Sequence, residues 1–207
     1  MIEGRILMKS FVEAVKNRRS IYALGRNIPC LQSEIIATVE RMTKEVPSAF
    51  NMQSARVVVT MLEHHENIWQ ITESALKKIV PEENFQATQD KMENFAAGYG
   101  TILFFEDSDT IYEMQKKYPV YADNFSIWAA QANGMLQFAI WTALEDLGLG
   151  VNIQHYNLLI DEDIRKIYHL PDSWDLVAQM VFGEKLAEPQ AIDKISTGER
   201  VKVFREV

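Results

Sequence analysis

The segment Pro47-Ser48-Ala49-Phe50-Asn51-Met52-Gln53-Ser54-Ala55 places two carboxamides and two hydroxyls in a short stretch that runs straight into an apolar strand. Asn51 and Gln53 each offer one acceptor and two donors. With Ser48 beside them, they can read a flat heterocycle whose edge alternates carbonyl and N–H groups. The isoalloxazine ring of a flavin has such an edge. The same residue types also build a plain surface turn, so this segment alone leaves both readings open.

Three other groups carry candidate chemistry. Arg18-Arg19-Ser20 combines two guanidinium forks, which grip phosphate oxygens in pairs, with a hydroxyl donor; cations at a helix C-terminus also simply complement its dipole. Near the other end, Arg200 and Lys202 fall on one side of an extended tail, where both can meet one phosphate or remain solvated. Gly148-Leu149-Gly150 followed by Val151-Asn152-Ile153-Gln154-His155 lets backbone approach a ring closely while Gln154 and His155 sit where a strand emerges. A helix stop followed by a strand accounts for those glycines equally well.

Several chemistries find no support. His64-His65 lacks metal-type spacing and reads as a strand-to-helix turn. Glu106-Asp107-Ser108-Asp109 reads as the cap of the next helix. No serine or cysteine stands in a nucleophile motif, and Gly98-Tyr99-Gly100 precedes its strand, the wrong order for a dinucleotide fingerprint. If the chain is an enzyme, a cofactor carries its chemistry.

Composition narrows the partners. The 207 residues have a formal net charge of -8, which argues against nucleic acid as the main partner. The single cysteine, Cys30, excludes an intrachain disulfide framework and fits a reducing compartment. No apolar run reaches the roughly 18 residues that a membrane span requires. These features predict a cytoplasmic protein without membrane partners. Met1-Ile2-Glu3-Gly4-Arg5 resembles a protease-cleavage linker, so residues 1–7 are read as an expression remnant and 8–207 as one domain.

The elements that must position these groups follow from apolar periodicity and caps. Ser10 starts a helix to about Arg18; Ser33 caps a second, with Ile36, Val39 and Met42 as its stripe and Pro47 beyond its end. The run from Arg56 to Leu62 is nearly unbroken and β-branched, which predicts a strand in the middle of a sheet. Residues 65–96 read as helical with an interruption at Pro81, followed by a strand over Thr101–Glu106 and a short helix ending before Pro119. The pattern from Asn124 to Leu147 predicts a long helix buried nearly all round. Val151–His155 reads as extended, 162–169 as a helix capped by Asp161, and Trp174–Phe182 as a further strand. Val201–Phe204 has strand-like alternation. Helices outnumber strands without regular alternation, which favours an α+β layer fold.

In this order the motifs resemble those of the nitroreductase-like FMN flavoproteins: Arg-Arg-Ser after the first helix, Pro-Ser-Ala-Phe-Asn-Met-Gln-Ser before a strong strand, Gly-Leu-Gly after the long helix, Phe-Gly-Glu-Lys after a late strand, and a basic tail. The similarity covers about Met8 to the C-terminus, and the Asn-Met-Gln-Ser-Ala-Arg-Val-Val-Val wording with Gln154-His155 is similar to a subgroup containing the fungal fatty-acid-repression-mutant proteins and related bacterial nitroreductases. The resemblance implies a central, mostly antiparallel sheet flanked by helices, in a homodimer with FMN at the subunit interface and a C-terminal tail reaching the partner. It further implies that Arg18, Arg19 and Ser20 hold the FMN phosphate and ribityl chain, with Arg200 or Lys202 closing the phosphate pocket. Pro47, Ser48, Asn51 and Gln53 would come from the partner subunit to the ring, and Gln154 and His155 would line its other side.

The implied activity is ping-pong hydride transfer from NADH or NADPH through FMN to a small-molecule electron acceptor, a nitroaromatic or quinone. A flavin-binding redox regulator with little turnover is the alternative. Two departures stand out. Ile21-Tyr22 follows Arg19-Ser20 where many relatives place a residue and another Arg, and Gln53-Ser54-Ala55 replaces Gln-Pro-Trp.

Overall fold

The computed structural model describes residues 10–205, so the expected linker at residues 1–7 lies outside the described residues. Its framework is a sheet whose strand pairs are all antiparallel. The longest strand pairs on one side with a fully buried neighbour and on the other with two short strands placed end to end. In chain order the strands are β1 (Leu24–Gly25), β2 (Ala55–Met61), β3 (Gly100–Asp107), β4 (Gly150–Gln154) and β5 (Trp174–Lys185). Across the sheet the order is β1 and β4, then β5, then β3, then β2.

The helices are α1 (Phe11–Asn17), α2 (Gln32–Glu45), α3 (Glu63–Leu76), α4 (Phe85–Ala96), α5 (Ser108–Lys117), α6 (Ala122–Asp146), α7 (Asp161–Tyr168) and α8 (Thr197–Arg200), of which α2 and α6 cover one face of the sheet and α3, α4 and α7 the other. Alternation along β3 divides the interior in two, because successive strand residues point to opposite faces. Leu103 and Phe105 join Ile68 and Trp69 of α3, Phe95 of α4 and Ile164 of α7. Ile102 and Phe104 join Ile35 and Val39 of α2 and Leu136, Ile140 and Leu144 of α6. The result is a sheet with a helical layer on each side, an α+β architecture.

Several local expectations are revised. Among the described residues β2 is an edge strand rather than a central one, since it pairs only with β3. Its β-branched run reflects cover on both faces, with Val58 in one core and Val57 and Val59 in the other, and that cover does not require a neighbour on each side. Helix α2 starts before Ser33, and it buries Ile35 and Val39 while Ile36 is exposed. Glu34 closes its first turn by accepting from the Leu31 N–H at 2.8 Å. Helix α7 begins at Asp161 itself, with Ile160 as N-cap.

Helix α6 is not buried all round: Ile127, Met135 and Phe138 are exposed. Phe11 and Val12 of α1 are exposed as well. Among the described residues the expected strand at Val201–Phe204 pairs with no other strand and is exposed, following the single helical turn of α8. By contrast, Ser10 caps α1 with a reciprocal bond to Glu13, and Gly148 adopts the positive φ of 84° that ends α6. Among the described residues, no helix is long and apolar enough to cross a membrane.

Candidate functional site

Arg18, Arg19 and Ser20 are fixed between a helix end and a sheet edge. The Arg18 N–H donates to Ala14 O at 2.9 Å and closes α1. Two residues on, Ser20 bridges in parallel to Val151 of β4, with the Ile21 N–H donating to Val151 O at 2.9 Å. The Arg18 guanidinium lies 4.3 Å from the Trp141 ring centre and 5.7 Å from that of Phe138, both on α6. Its Nε is buried without a hydrogen-bond partner in the described structure. Burial, with the adjacent Arg19 charge, depresses the Arg18 pKa.

Arg19 donates from Nη2 to Gln190 O, drawing the chain after β5 across this corner. Between them lies a cavity of about 610 Å³ whose lining includes Lys16, Arg18, Arg19, Ser20 and Lys194, with Glu188 the only carboxylate among the described lining residues. Four cations against one anion make this a positive cleft in an acidic protein. The stacked Arg18 guanidinium with its orphaned donor, the Arg19 guanidinium and the Ser20 hydroxyl fit an anionic group such as the FMN phosphate.

Arg200 and Lys202 do not line this cavity. Arg200 is exposed in α8, and Lys202 Nζ donates to Gly198 O at 2.8 Å. Lys16 and Lys194 are the further cations among the cavity's described lining residues. Lys194 escaped the sequence reading because it belongs to no motif, and only the fold of the chain after β5 brings it to Arg19.

The Gln154 reading leads to a buried amide chain. Gln154 Nε2 donates to Asn152 Oδ1 at 2.9 Å, and Asn152 Nδ2 donates to Ile21 O at 2.9 Å, so these side chains tie β4 to the segment after Ser20. Gln179, opposite Gln154 on β5, accepts from the Tyr156 N–H at 2.7 Å through Oε1, while its buried Nε2 has no partner. A carboxamide inside the apolar run of β5 was the available signal for Gln179. His155 is exposed at the end of β4.

The Pro47–Ala55 loop has an unusual backbone. Phe50, Asn51 and Gln53 all have positive φ, at 54°, 53° and 52°. Left-handed conformations at non-glycine residues cost on the order of 1 kcal/mol or more each and persist only when neighbours enforce them. Here Ser48 Oγ accepts from the Gln53 N–H at 2.8 Å. Phe50 packs among Tyr118, Tyr121, Phe125 and Trp128, with its ring centre 4.8 Å from that of Tyr118 and near-parallel to Trp128 at 5.8 Å. Met52 is buried beside Phe125 and Ala129. The loop therefore presents Asn51 and Gln53 to solvent from a fixed base.

Pro47, Ser48 and Gln53 line a second cavity of about 210 Å³ against α6, and Asn51 does not. The two cavities share no lining residue. Within one chain, then, the cationic corner and the carboxamide loop form separate surfaces. At the loop's base, Glu106 accepts from Asn133 Nδ2 at 2.8 Å, and burial raises its carboxyl pKa above the usual value. Asp107 behaves oppositely: burial opposes its charge, but hydrogen bonds from Thr110 and Ser173 and the Arg56 guanidinium outweigh it and hold the carboxyl below its ordinary pKa.

With this geometry in view, the chain matches the family described as the nitroreductase family over residues 15–184. It is 32% identical over 183 residues to the nitroreductase FRM2 of Saccharomyces cerevisiae, covering 87% of this chain and 91% of that protein. The structure of the nitroreductase CinD from Lactococcus lactis in complex with 4-nitrophenol superposes with a TM-score of 0.87 at 38% identity, over 95% of this chain and all of that one. A protein of Exiguobacterium sibiricum solved in complex with FMN shares the fold, with a TM-score of 0.70 at 16% identity, over 95% of this chain and 98% of that one.

Proposed function

This chain belongs to the nitroreductase family, and on that premise we propose that it is an FMN-dependent oxidoreductase using NADH or NADPH to reduce nitroaromatic or quinone-type acceptors. The observation that carries the cofactor reading is the cavity at the end of α1, where Lys16, Arg18, Arg19 and Lys194 gather around Ser20 in a chain of formal net charge -8. The relative solved with 4-nitrophenol supports the acceptor class.

In this reading residues 8–207 form one FMN-binding domain and the enzyme is a homodimer. The exposed apolar residues Ile127, Met135 and Phe138 of α6, with Phe11 and Val12 of α1, form the face that a second copy covers. Pairing would bring the carboxamide loop of one chain to the cationic cavity of the other, joining surfaces that one chain keeps apart.

When bound, FMN supplies the redox centre that accepts and returns a hydride, which fits ping-pong exchange because one ring serves both partners in turn. The protein's residues bind and orient. Arg18, Arg19, Ser20 and Lys194 hold the phosphate end. Asn51 and Gln53 meet the ring edge as hydrogen-bond donors and acceptors, and His155 lies at the open end of β4. Their contribution is placement and electrostatic tuning, since no nucleophile is required.

An absorbance spectrum of the purified protein, followed by NADH and NADPH oxidation with a nitroaromatic and a quinone, tests the proposal. Flavin bands and acceptor-dependent turnover are expected. A colourless protein that takes up no added FMN overturns the cofactor reading. Tight FMN with negligible turnover overturns the enzyme reading and favours a flavin-binding regulator.

A further inference from the structure

We infer that Arg56 is a positioning residue for the carboxamide loop, clamping Gln53 in its left-handed conformation so that the loop's amides meet the flavin ring in one geometry. The inference rests on the proposed role of that loop at FMN. Arg56 stands at the start of β2, its backbone held opposite Phe105 in the β2–β3 ladder. From there its guanidinium reaches in two directions. Nη1 donates to Gln53 O at 2.7 Å and to Ala55 O at 3.1 Å. Nη2 donates to Asp107 Oδ2 at 2.6 Å and to Thr110 Oγ1 at 3.2 Å.

The second anchor is itself fixed. Thr110 Oγ1 donates to the same Asp107 oxygen at 2.8 Å, and Asp107 ends β3 opposite Trp174 of β5. The Trp174 ring centre lies 5.9 Å from the Arg56 guanidinium carbon. One planar cation therefore connects loop carbonyls to a carboxylate built into the sheet. The connection matters because three non-glycine residues in this loop hold positive φ, a state that relaxes unless neighbours enforce it. Arg56 also lines the 210 Å³ cavity beside Pro47, Ser48 and Gln53, so it acts next to the groups that would face the ring. A lysine cannot reproduce the bridge, because its single ammonium is a point donor that lacks the planar fork.

The test compares wild-type protein with R56K and with R165A, which removes the Arg165 bond to Trp174 O and touches no loop residue. Amide hydrogen exchange reads the loop with or without flavin, and FMN titration with the bound flavin spectrum reads the ring. In R56K the amides of residues 49–55 are expected to exchange about 10-fold faster while β3 stays protected, matching the loss of a charge-assisted bond. FMN affinity should fall by about the same factor, with a displaced flavin band. R165A should change neither readout.

Should R56K fail to fold, T110V takes its place. That change removes one of the two Nη2 anchors without altering charge, and the same shifts should appear at smaller amplitude. Wild-type loop exchange in the folded variant overturns the inference. Faster exchange with unchanged FMN affinity and spectrum overturns it too, because the clamp then has no consequence at the ring. If wild-type protein binds no FMN, the functional proposal fails by that result alone. The inference as stated falls with it, and the exchange comparison still shows separately whether Arg56 holds the loop.

Discussion

The phosphate end of the proposed site turns on which lysine joins Arg18 and Arg19. Lys194 shares their cavity, whereas Lys202 spends a donor on Gly198 O, four residues back, and does not line it. Replacing Arg18 or Lys194 by Ala is therefore expected to weaken FMN binding about 10- to 100-fold, the range for a charge-assisted hydrogen bond, while K202A stays within about 2-fold. Titration of FMN-free protein by flavin fluorescence decides it. Loss of affinity in K202A with none in K194A would place the tail differently in the assembled protein. At this scale the sequence was informative about type and incomplete about place. Arg18, Arg19 and Ser20 were legible as the proposed anion site because they are adjacent in the chain. Lys194 was not, because it reaches them only through the turn of the chain after β5.

At the scale of elements, the join between α3 and the sheet carries a buried histidine. His65 Nε2 meets Ala96 O at 3.3 Å, and since a carbonyl only accepts, that nitrogen carries the proton. Nδ1 then accepts from the Thr101 hydroxyl at 2.8 Å, whose oxygen in turn accepts from Trp69 Nε1 at 3.1 Å. Burial is the main cause that lowers the His65 pKa from 6.5 to about 4. The unfolded chain thus binds the proton more readily than the folded one below neutral pH. The stability this confers is complete above pH 6.5 and is lost as pH falls towards 4. The loss is on the order of 3 kcal/mol. Urea unfolding from pH 7 to pH 4 should show this slope in wild-type protein and its absence in H65Q. The sequence pattern placed His64-His65 in a turn leading into the helix, whereas both lie in the first turn of α3 itself; the burial of one ring and exposure of the other depended on how α3 packs on β3.

For the molecule as a whole, the exposed apolar face of α6 and α1 sets the expected assembly. A charge at its centre should prevent a second copy from docking, because burying an unpaired carboxylate costs several kcal/mol. I127D is accordingly expected to sediment as a monomer and the wild-type protein as a dimer, and I127D to lose FMN retention along with dimerisation. Ile127 lines neither cavity, so any effect on flavin must come through assembly. A monomeric I127D that keeps wild-type FMN affinity would show that one chain suffices to hold the cofactor.

The sequence by itself determined the layered α+β class, the helix stops at Pro47 and Gly148, and the polar loop feeding an apolar strand. Each depends on residues close together in the chain, where periodicity, caps and turn chemistry act directly. It also contained the run Val57-Val58-Val59, but the placement of β2 at the sheet edge required the tertiary structure, because cover by helices on both faces produces the same apolar pattern as a central strand. The long helix α6 shows the converse: its apolar surface exceeds what one chain buries, and only packing reveals which stripe is left uncovered. The gathering of Lys194 with Arg18, and the clamp from Arg56 to Asp107, likewise belong to the tertiary structure. Hydrogen bonds and cavities join groups by distance in space, and no local pattern encodes a pairing across many tens of residues.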